Sequence, residues 1–200
     1  MKLILATNNV KKVTEIRQIL GGTFEVIGLV EASIDVEMIE DCQTFSGNAI
    51  RKALAVSKAT GELSLADDSG LVVESLDGAP GIHSARYAGE MATDEDKNQK
   101  ILQNLRNTEL RAAYFQCAIA MVDCHEKIEV VEGICRGSIA IEPVGAQGFG
   151  YDPIFIPEGY NKTFAQLGLT VKNQISHRAK ALRLAMKIIQ NWHSRLKVND

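Results

Sequence analysis

The sequence predicts an α/β or α+β fold around one mixed, twisted sheet. Two observations carry this prediction. Strand–helix–strand patterns occupy both ends of the chain, and two long strands lie between them as an antiparallel pair. At 200 residues, one domain spanning residues 1–200 is expected, with room for two lobes. A chain this long buries a sizeable core without disulfides or metals. Its hydrophobic content, 46 %, lies in the globular range.

The elements follow in order. Lys2–Ala6 is apolar and reads as a buried strand. Thr7-Asn8-Asn9 is a turn and cap cluster. Val10, Val13, Ile16 and Ile19/Leu20 then recur at helical spacing, and Gly21-Gly22 stop the helix. Phe24–Leu29 is a second strand, and residues 31–43 are acidic without periodicity. Thr44 or Ser46 caps a helix to about Thr60, with Ala49, Ala53 and Val56/Ser57 inward and Gly61 at its end. Leu63–Ala66 is a short strand that delivers Asp67-Asp68-Ser69-Gly70, and Leu71-Val72-Val73 continues extended. Gly78–Gly89 reads as a loop. Thr93 and Asp96 form a capping-box-like start to a helix through Leu105. Ala112–Cys124 and Ile128–Ile141 are the long strands, joined near His125-Glu126-Lys127. Gly145–Pro157 is a glycine-rich loop. Ser176 caps a final helix with Ala179, Leu182, Ala185/Met186 and Ile189 on one face. A cleft between lobes is the expected ligand site.

Composition excludes several classes. No apolar run approaches the ~20 residues of a membrane span. The start, Met1 to Thr7, breaks into Asn8-Asn9 too early for a signal-peptide core. The reading is a soluble, cytoplasmic protein with no membrane partner. A net charge of −3 argues against a nucleic-acid coat. Cys42, Cys117, Cys124 and Cys135 form no C-x-x-C pair, which argues against structural zinc, and three of the four read as buried thiols. His83, His125 and His193 show no ligand-like spacing.

Six segments carry chemistry. The first strand–turn–helix offers backbone N–H groups at a helix start, where phosphate oxygens bind. Lys11 and Lys12 add point charges there, although a plain surface helix has the same pattern. Adjacent Asp67 and Asp68 repel each other unless a cation lies between them. Mg²⁺ suits such hard oxygens and bridges to phosphates, and a carboxylate beside it can accept a proton from water. An acidic turn has the same composition. Glu40-Asp41 could add a ligand, and Lys52 could reach a phosphate. In Gly148-Phe149-Gly150-Tyr151-Asp152-Pro153, an aromatic between glycines offers a face for base stacking, or else packs into the core. Ser176-His177-Arg178 opens a helix with donors suited to a polar base edge.

Taken in order, these segments resemble the inosine triphosphate pyrophosphatase family, the non-canonical purine NTP pyrophosphatases. The resemblance rests on six motifs. They are Leu5-Ala6-Thr7-Asn8-Asn9 with Lys12; Thr44-Phe45 with Asn48-Ala49 and Lys52-Ala53; Ala66-Asp67-Asp68-Ser69-Gly70-Leu71; Gly78-Ala79-Pro80-Gly81-Ile82 with Ser84-Ala85-Arg86-Tyr87; Gly148 to Pro153; and Ile175-Ser176-His177-Arg178. It runs from about residue 3 to about residue 190.

The resemblance implies a two-lobed α/β fold with a long central mixed sheet flanked by helices and a nucleotide cleft between the lobes. It implies a homodimer that converts ITP, dITP and XTP to monophosphate and pyrophosphate with Mg²⁺, keeping deaminated purines out of DNA and RNA. Thr7, Asn8, Asn9, Val10, Lys11 and Lys12 would bind triphosphate, and Lys52 would be a second phosphate-facing lysine. Glu40 and Asp68 would hold Mg²⁺ beside Asp67, with Asp68 as proton acceptor. Ser69 would contact substrate. Phe149, Gly150, Tyr151 and Asp152 would stack on and enclose the base, and Lys172, His177 and Arg178 would complete its recognition. The chain departs from the family pattern at Asn8 and Lys11, where glycine is common, and at Gly47, where many members carry Glu. Two other readings share these residues: a pyrophosphatase for other bases, and a nucleotide sensor without turnover, which the missing acid at Gly47 would suit.

Overall fold

The computed structural model describes residues 2–22 and 24–196, with side chains to residue 192; the His193 side chain lies outside them. Six strands form one sheet in the order β2-β1-β3-β4-β5-β6. The strands are β1 (Lys2–Leu5), β2 (Glu25–Gly28), β3 (Ser64–Val73), β4 (Ala112–Val122), β5 (Ile128–Ile139) and β6 (Phe155–Pro157). β1 pairs with β2 and with β3 in parallel, whereas β5 pairs with β6 antiparallel, Ile139 opposite Phe155. The sheet is therefore mixed, as expected. The helices are α1 (Val10–Leu20), α2 (Phe45–Thr60), α3 (Asp94–Asn104), α4 (Phe164–Ile175) and α5 (His177–Leu196).

Local chemistry sets the helix ends. Asn9 Oδ1 accepts the N–H groups of Lys11 and Lys12, and Gly21 closes α1 in the left-handed region. Thr44 caps α2 by accepting the Gly47 N–H. Thr93 and Asp96 complete a capping box on α3. α4 has no counterpart in the sequence reading. It too begins with a capping box, Thr163 with Gln166, but Gly168 breaks its helical backbone at φ 79°.

The described chain forms two compact units: residues 1–68, 117–133 and 178–200 make the first, and 69–116 and 134–177 the second. β3, β4 and β5 each contribute to both. In the first unit, Leu3, Leu5, Val13, Ile16, Leu65, Ile119, Leu182 and Ile189 share one core. In the second, Leu71, Ile101, Phe115, Tyr151, Phe155 and Phe164 share another. Burial of such side chains stabilises by about 1.5–3 kcal/mol each.

Two sequence expectations need revision. β3 does not end at Ala66 but runs unbroken through Asp67-Asp68-Ser69-Gly70 to Val73, because sheet pairing and buried partners override the turn-like composition. Only Cys117 and Cys135 are buried; Cys42 is half-buried and Cys124 is exposed at the β4–β5 turn. No described helix is long and apolar enough to cross a membrane.

Candidate active site

Successive residues of a strand point to opposite faces, so the continuity of β3 separates Asp67 from Asp68. The mutual repulsion expected of adjacent acids is relieved by geometry, and each carboxylate meets its own cations.

Asp67 is fully enclosed. Its Oδ1 lies 2.6 Å from Lys12 Nζ. Arg178 reaches both oxygens, Nε to Oδ2 at 2.9 Å and Nη2 to Oδ1 at 3.3 Å. The Cys117 thiol donates to Oδ2 at 2.9 Å. Arg178 Nη1 continues to Glu15 Oε2 at 3.0 Å. Burial opposes the charge on Asp67, but Arg178, Lys12 and the hydrogen bonds outweigh it and hold its pKa well below the usual value. Burial and the Asp67 charge push the Cys117 thiol well up, so Cys117 is a neutral donor rather than a nucleophile.

Asp68 faces α2. Lys52 Nζ donates to Asp68 Oδ1 at 2.7 Å and to Glu40 Oε1 at 3.0 Å. Asn48 Nδ2 donates to Asp68 Oδ2 at 3.2 Å, while Asn48 Oδ1 accepts the Cys42 N–H at 3.0 Å. The second bond fixes which end of the amide faces Asp68. Burial raises the Asp68 pKa, with Glu40 adding to it, and the pull of Lys52 only partly offsets this. Burial would lower the Lys52 pKa, but Asp68 and Glu40 reverse that and raise it. Lys12 and Lys52 also both reach the Asp67 carbonyl, at 3.3 and 3.1 Å.

The cluster joins three cations (Lys12, Lys52 and Arg178) to four carboxylates (Glu15, Glu40, Asp67 and Asp68), so its formal excess is negative. No group of three or more His, Cys, Asp or Glu gathers for a metal among the described residues. Mg²⁺ needs only one or two carboxylates, since water and substrate phosphates supply the rest. Glu40 and Asp68 already converge on one cationic centre, Lys52 Nζ, so this pair fits the ion. Asp67 has both oxygens committed to Lys12, Arg178 and Cys117.

The turn before α1 leaves Asn8, Asn9, Val10 and Lys11 exposed and Thr7 half-buried. Its donors are less free than the sequence suggested. Thr7 Oγ1 accepts the Asn9 N–H at 3.1 Å, and Asn9 Oδ1 takes those of Lys11 and Lys12 at 3.0 and 3.2 Å.

The second unit holds the remaining candidates. Phe149 is half-buried and outside the core, whereas Tyr151 is a core residue whose hydroxyl donates to the Ser84 carbonyl at 2.8 Å. Asp152 and Lys172 form a buried pair at 2.6 Å. Asp152 Oδ2 also accepts the Phe149 N–H at 2.9 Å. Lys172 Nζ sits 4.4 Å from the Phe149 ring centre, a cation–π contact on one face. A Cβ on Gly148 would stand 2.1 Å from Asp152 Oδ2, and its φ is +82°, so only glycine lets the loop close over that carboxylate. His177 is buried and stacks on Phe115 at 4.6 Å. Ser69 is half-buried on β3.

Sequence reasoning assigned no role to Glu15, Asn48 or Cys117. Glu15 and Asn48 occupy buried positions of amphipathic helices, and a polar residue on an apolar helical face was the available signal.

The fold and this acid–lysine cluster define an α/β protein equipped for a charged ligand. The chain belongs to the Ham1 family, whose sequence pattern it matches over residues 3–188. It is 47 % identical over 196 residues to the dITP/XTP pyrophosphatase of Desulforamulus reducens, covering 96 % of this chain and 98 % of that one. The Bacillus subtilis dITP/XTP pyrophosphatase is 45 % identical over 190 residues, covering 94 % and 96 %. The Staphylococcus aureus Ham1 protein superposes with a TM-score of 0.84 at 41 % identity, over 96 % of this chain and 99 % of that one.

Proposed function

We propose that this chain hydrolyses non-canonical purine nucleoside triphosphates (ITP, dITP and XTP) to the monophosphate and pyrophosphate. The observation that carries the reading is the Glu40–Lys52–Asp68 cluster beside Lys12, in a family whose relatives bear the name dITP/XTP pyrophosphatase.

Hydrolysis of a phosphoanhydride needs positioning and charge neutralisation more than covalent chemistry. Lys12, Lys52 and the turn from Thr7 to Lys11 bind the polyphosphate, with phosphate oxygens replacing the Asn9 cap on the Lys11 and Lys12 N–H groups. Glu40 and Asp68 would hold Mg²⁺, which would neutralise phosphate charge. Asp67 sits behind them and holds Lys12 in place, and Arg178 fixes Asp67. As Lys52 turns from Asp68 Oδ1 to phosphate, that oxygen accepts the proton of the attacking water, whose oxygen bonds to phosphorus. The α–β anhydride bond breaks, and pyrophosphate and monophosphate leave.

The base stacks on Phe149, on the face opposite Lys172, which backs the ring from behind, and His177 supplies a donor toward O6. Adenine presents a donor at that position, and a site built from donors rejects it. The resemblance supports a cytoplasmic homodimer acting on free nucleotides, with neither nucleic acid nor membrane as partner.

The test is a panel of ITP, XTP, GTP and ATP with Mg²⁺, reading pyrophosphate. kcat/KM for ITP and XTP should exceed that for ATP by at least about a hundredfold, roughly 2.7 kcal/mol. Guanine shares O6, so its rejection depends on excluding the 2-amino group. Equal efficiency on ATP and ITP defeats the specificity reading, and absence of pyrophosphate release defeats the reaction.

A further inference from the structure

The Gly148–Asp152 loop is gripped by α3, a helix that contributes nothing to the acid–lysine cluster. Asp94 and Asn98 lie one turn apart on α3 and therefore on the same face. Asp94 Oδ2 accepts the Gly150 N–H at 2.8 Å. Asn98 Nδ2 donates to the Gly150 carbonyl at 3.1 Å. The two flanking polar groups of one glycine, whose φ is +63°, are thus held from one helical turn.

Asn98 is 4 % exposed, and its Oδ1 finds no hydrogen-bond partner among the described residues. An unsatisfied buried carbonyl costs about 1–3 kcal/mol. An apolar side chain here would avoid that cost and pack against the Ile101 side of α3. The amide instead supplies a donor that an apolar side chain lacks, and that donor goes to the carbonyl next to Phe149.

We infer that Asn98, with Asp94, is a positioning residue for base recognition: it locks the Gly150 peptides so that the Phe149 ring is presented to the purine. The inference rests on the reading of Phe149 as the stacking platform. Two clamps then bracket that ring. Asp152 holds the Phe149 N–H on one side, and α3 holds Gly150 on the other. On this inference both α3 residues act through Gly150 rather than by contact with the purine. Their effect falls on ground-state and transition-state binding alike, so it appears in KM rather than kcat.

The experiment measures KM and kcat for ITP in the wild-type enzyme, Asn98→Ala, Phe149→Ala and the double variant, with a thermal midpoint for each. Asn98→Ala should raise KM about tenfold with kcat within about threefold, or roughly 1.4 kcal/mol of binding. The double variant should be no worse than Phe149→Ala alone, because a clamp acting through a ring has no effect once the ring is gone. Asp94→Ala removes the other bond from a more exposed position, and should raise KM in the same sense if Asn98→Ala fails to fold. If Phe149→Ala leaves KM unchanged, the platform reading and this inference both fall. If Phe149→Ala raises KM while neither α3 variant does, the inference alone falls. It also falls if the Asn98 and Phe149 effects multiply in the double variant, as those of a merely structural residue would.

Discussion

Arg178 meets Asp67 as a fork, with Nε on Oδ2 and Nη2 on Oδ1. Asp67 in turn holds Lys12 through Oδ1, and Arg178 holds Glu15 through Nη1. One buried guanidinium therefore ties the start of α5 to the middle of β3 and to α1. The lysine proposed to meet phosphate is fixed from behind by a carboxylate that is itself fixed.

Removing that guanidinium leaves two buried carboxylates with too little positive charge. Breaking a buried pair by deleting one partner costs about 3–5 kcal/mol. Arg178→Met should lose that much stability in urea denaturation. Arg178→Lys keeps the charge without the fork and should lose less. A loss below about 1 kcal/mol in Arg178→Met, the scale of an exposed pair, would show that the fork does not hold the fold.

The same network sets an acid dependence. The Asp67 pKa in the folded protein lies well below its ordinary value of 3.8, so the unfolded chain binds the proton first as pH falls. The stability contributed by ionised Asp67 is fully present above that ordinary value, and is lost as pH drops toward the folded pKa. Asp67→Asn should be less stable than wild type at neutral pH and should lose less stability on acidification. Urea unfolding from neutral pH to about pH 2 reads both, and parallel curves would reject the assignment.

Asp68 carries a different expectation. Asp68→Asn keeps the size and the hydrogen bond from Lys52 but removes the proton acceptor and one metal charge. Turnover of ITP should fall about 10²–10⁴-fold with the fold intact by circular dichroism. A variant retaining more than about a tenth of wild-type kcat, a loss under roughly 1.4 kcal/mol, would show that Asp68 is not the base. Excess EDTA should abolish wild-type activity while leaving the thermal midpoint little changed, since Glu40 and Asp68 are already neutralised in part by Lys52. Full activity in EDTA would remove Mg²⁺ from the mechanism.

Much of the fold was legible where local chemistry decides it. The Thr93–Asp96 box, the Gly21 and Gly61 stops and the inward faces of α2 and α5 all follow from side chains within a few residues of one another. What was not legible depends on distant partners. Asp67-Asp68-Ser69-Gly70 has turn composition, and sheet pairing with the distant partners Arg178, Lys12 and Lys52 makes it a strand interior. Glu15 meets Arg178 across 163 positions, a relation no local pattern carries. α4 escaped because Gly168 interrupts its period. Phe149 was legible as a choice between platform and core, and its half-burial outside the core cluster favours the platform.

The departure at Gly47 yields a last prediction. A Cβ built on Gly47 would stand 2.9 Å from the Cys42 Cβ, 3.0 Å from Thr44 Oγ1 and 3.3 Å from Cys42 Sγ. The glycine and Cys42 are thus coupled: the Cys42 side chain fills the space that any residue at 47 would need. The Cys42 N–H also bonds Asn48, which bonds Asp68, so displacing Cys42 disturbs the proposed base through one intervening side chain. Gly47→Ala should therefore destabilise by about 1–3 kcal/mol through overpacking, although alanine is the better helix former. It should also lower kcat for ITP. Cys42→Gly removes the obstructing Cβ, and in that background Gly47→Ala should lose little stability and retain the kcat of Cys42→Gly. The coupling energy from the four proteins should exceed about 0.5 kcal/mol. Additive effects would mean that the loop yields freely and that Cys42 does not set the identity of residue 47.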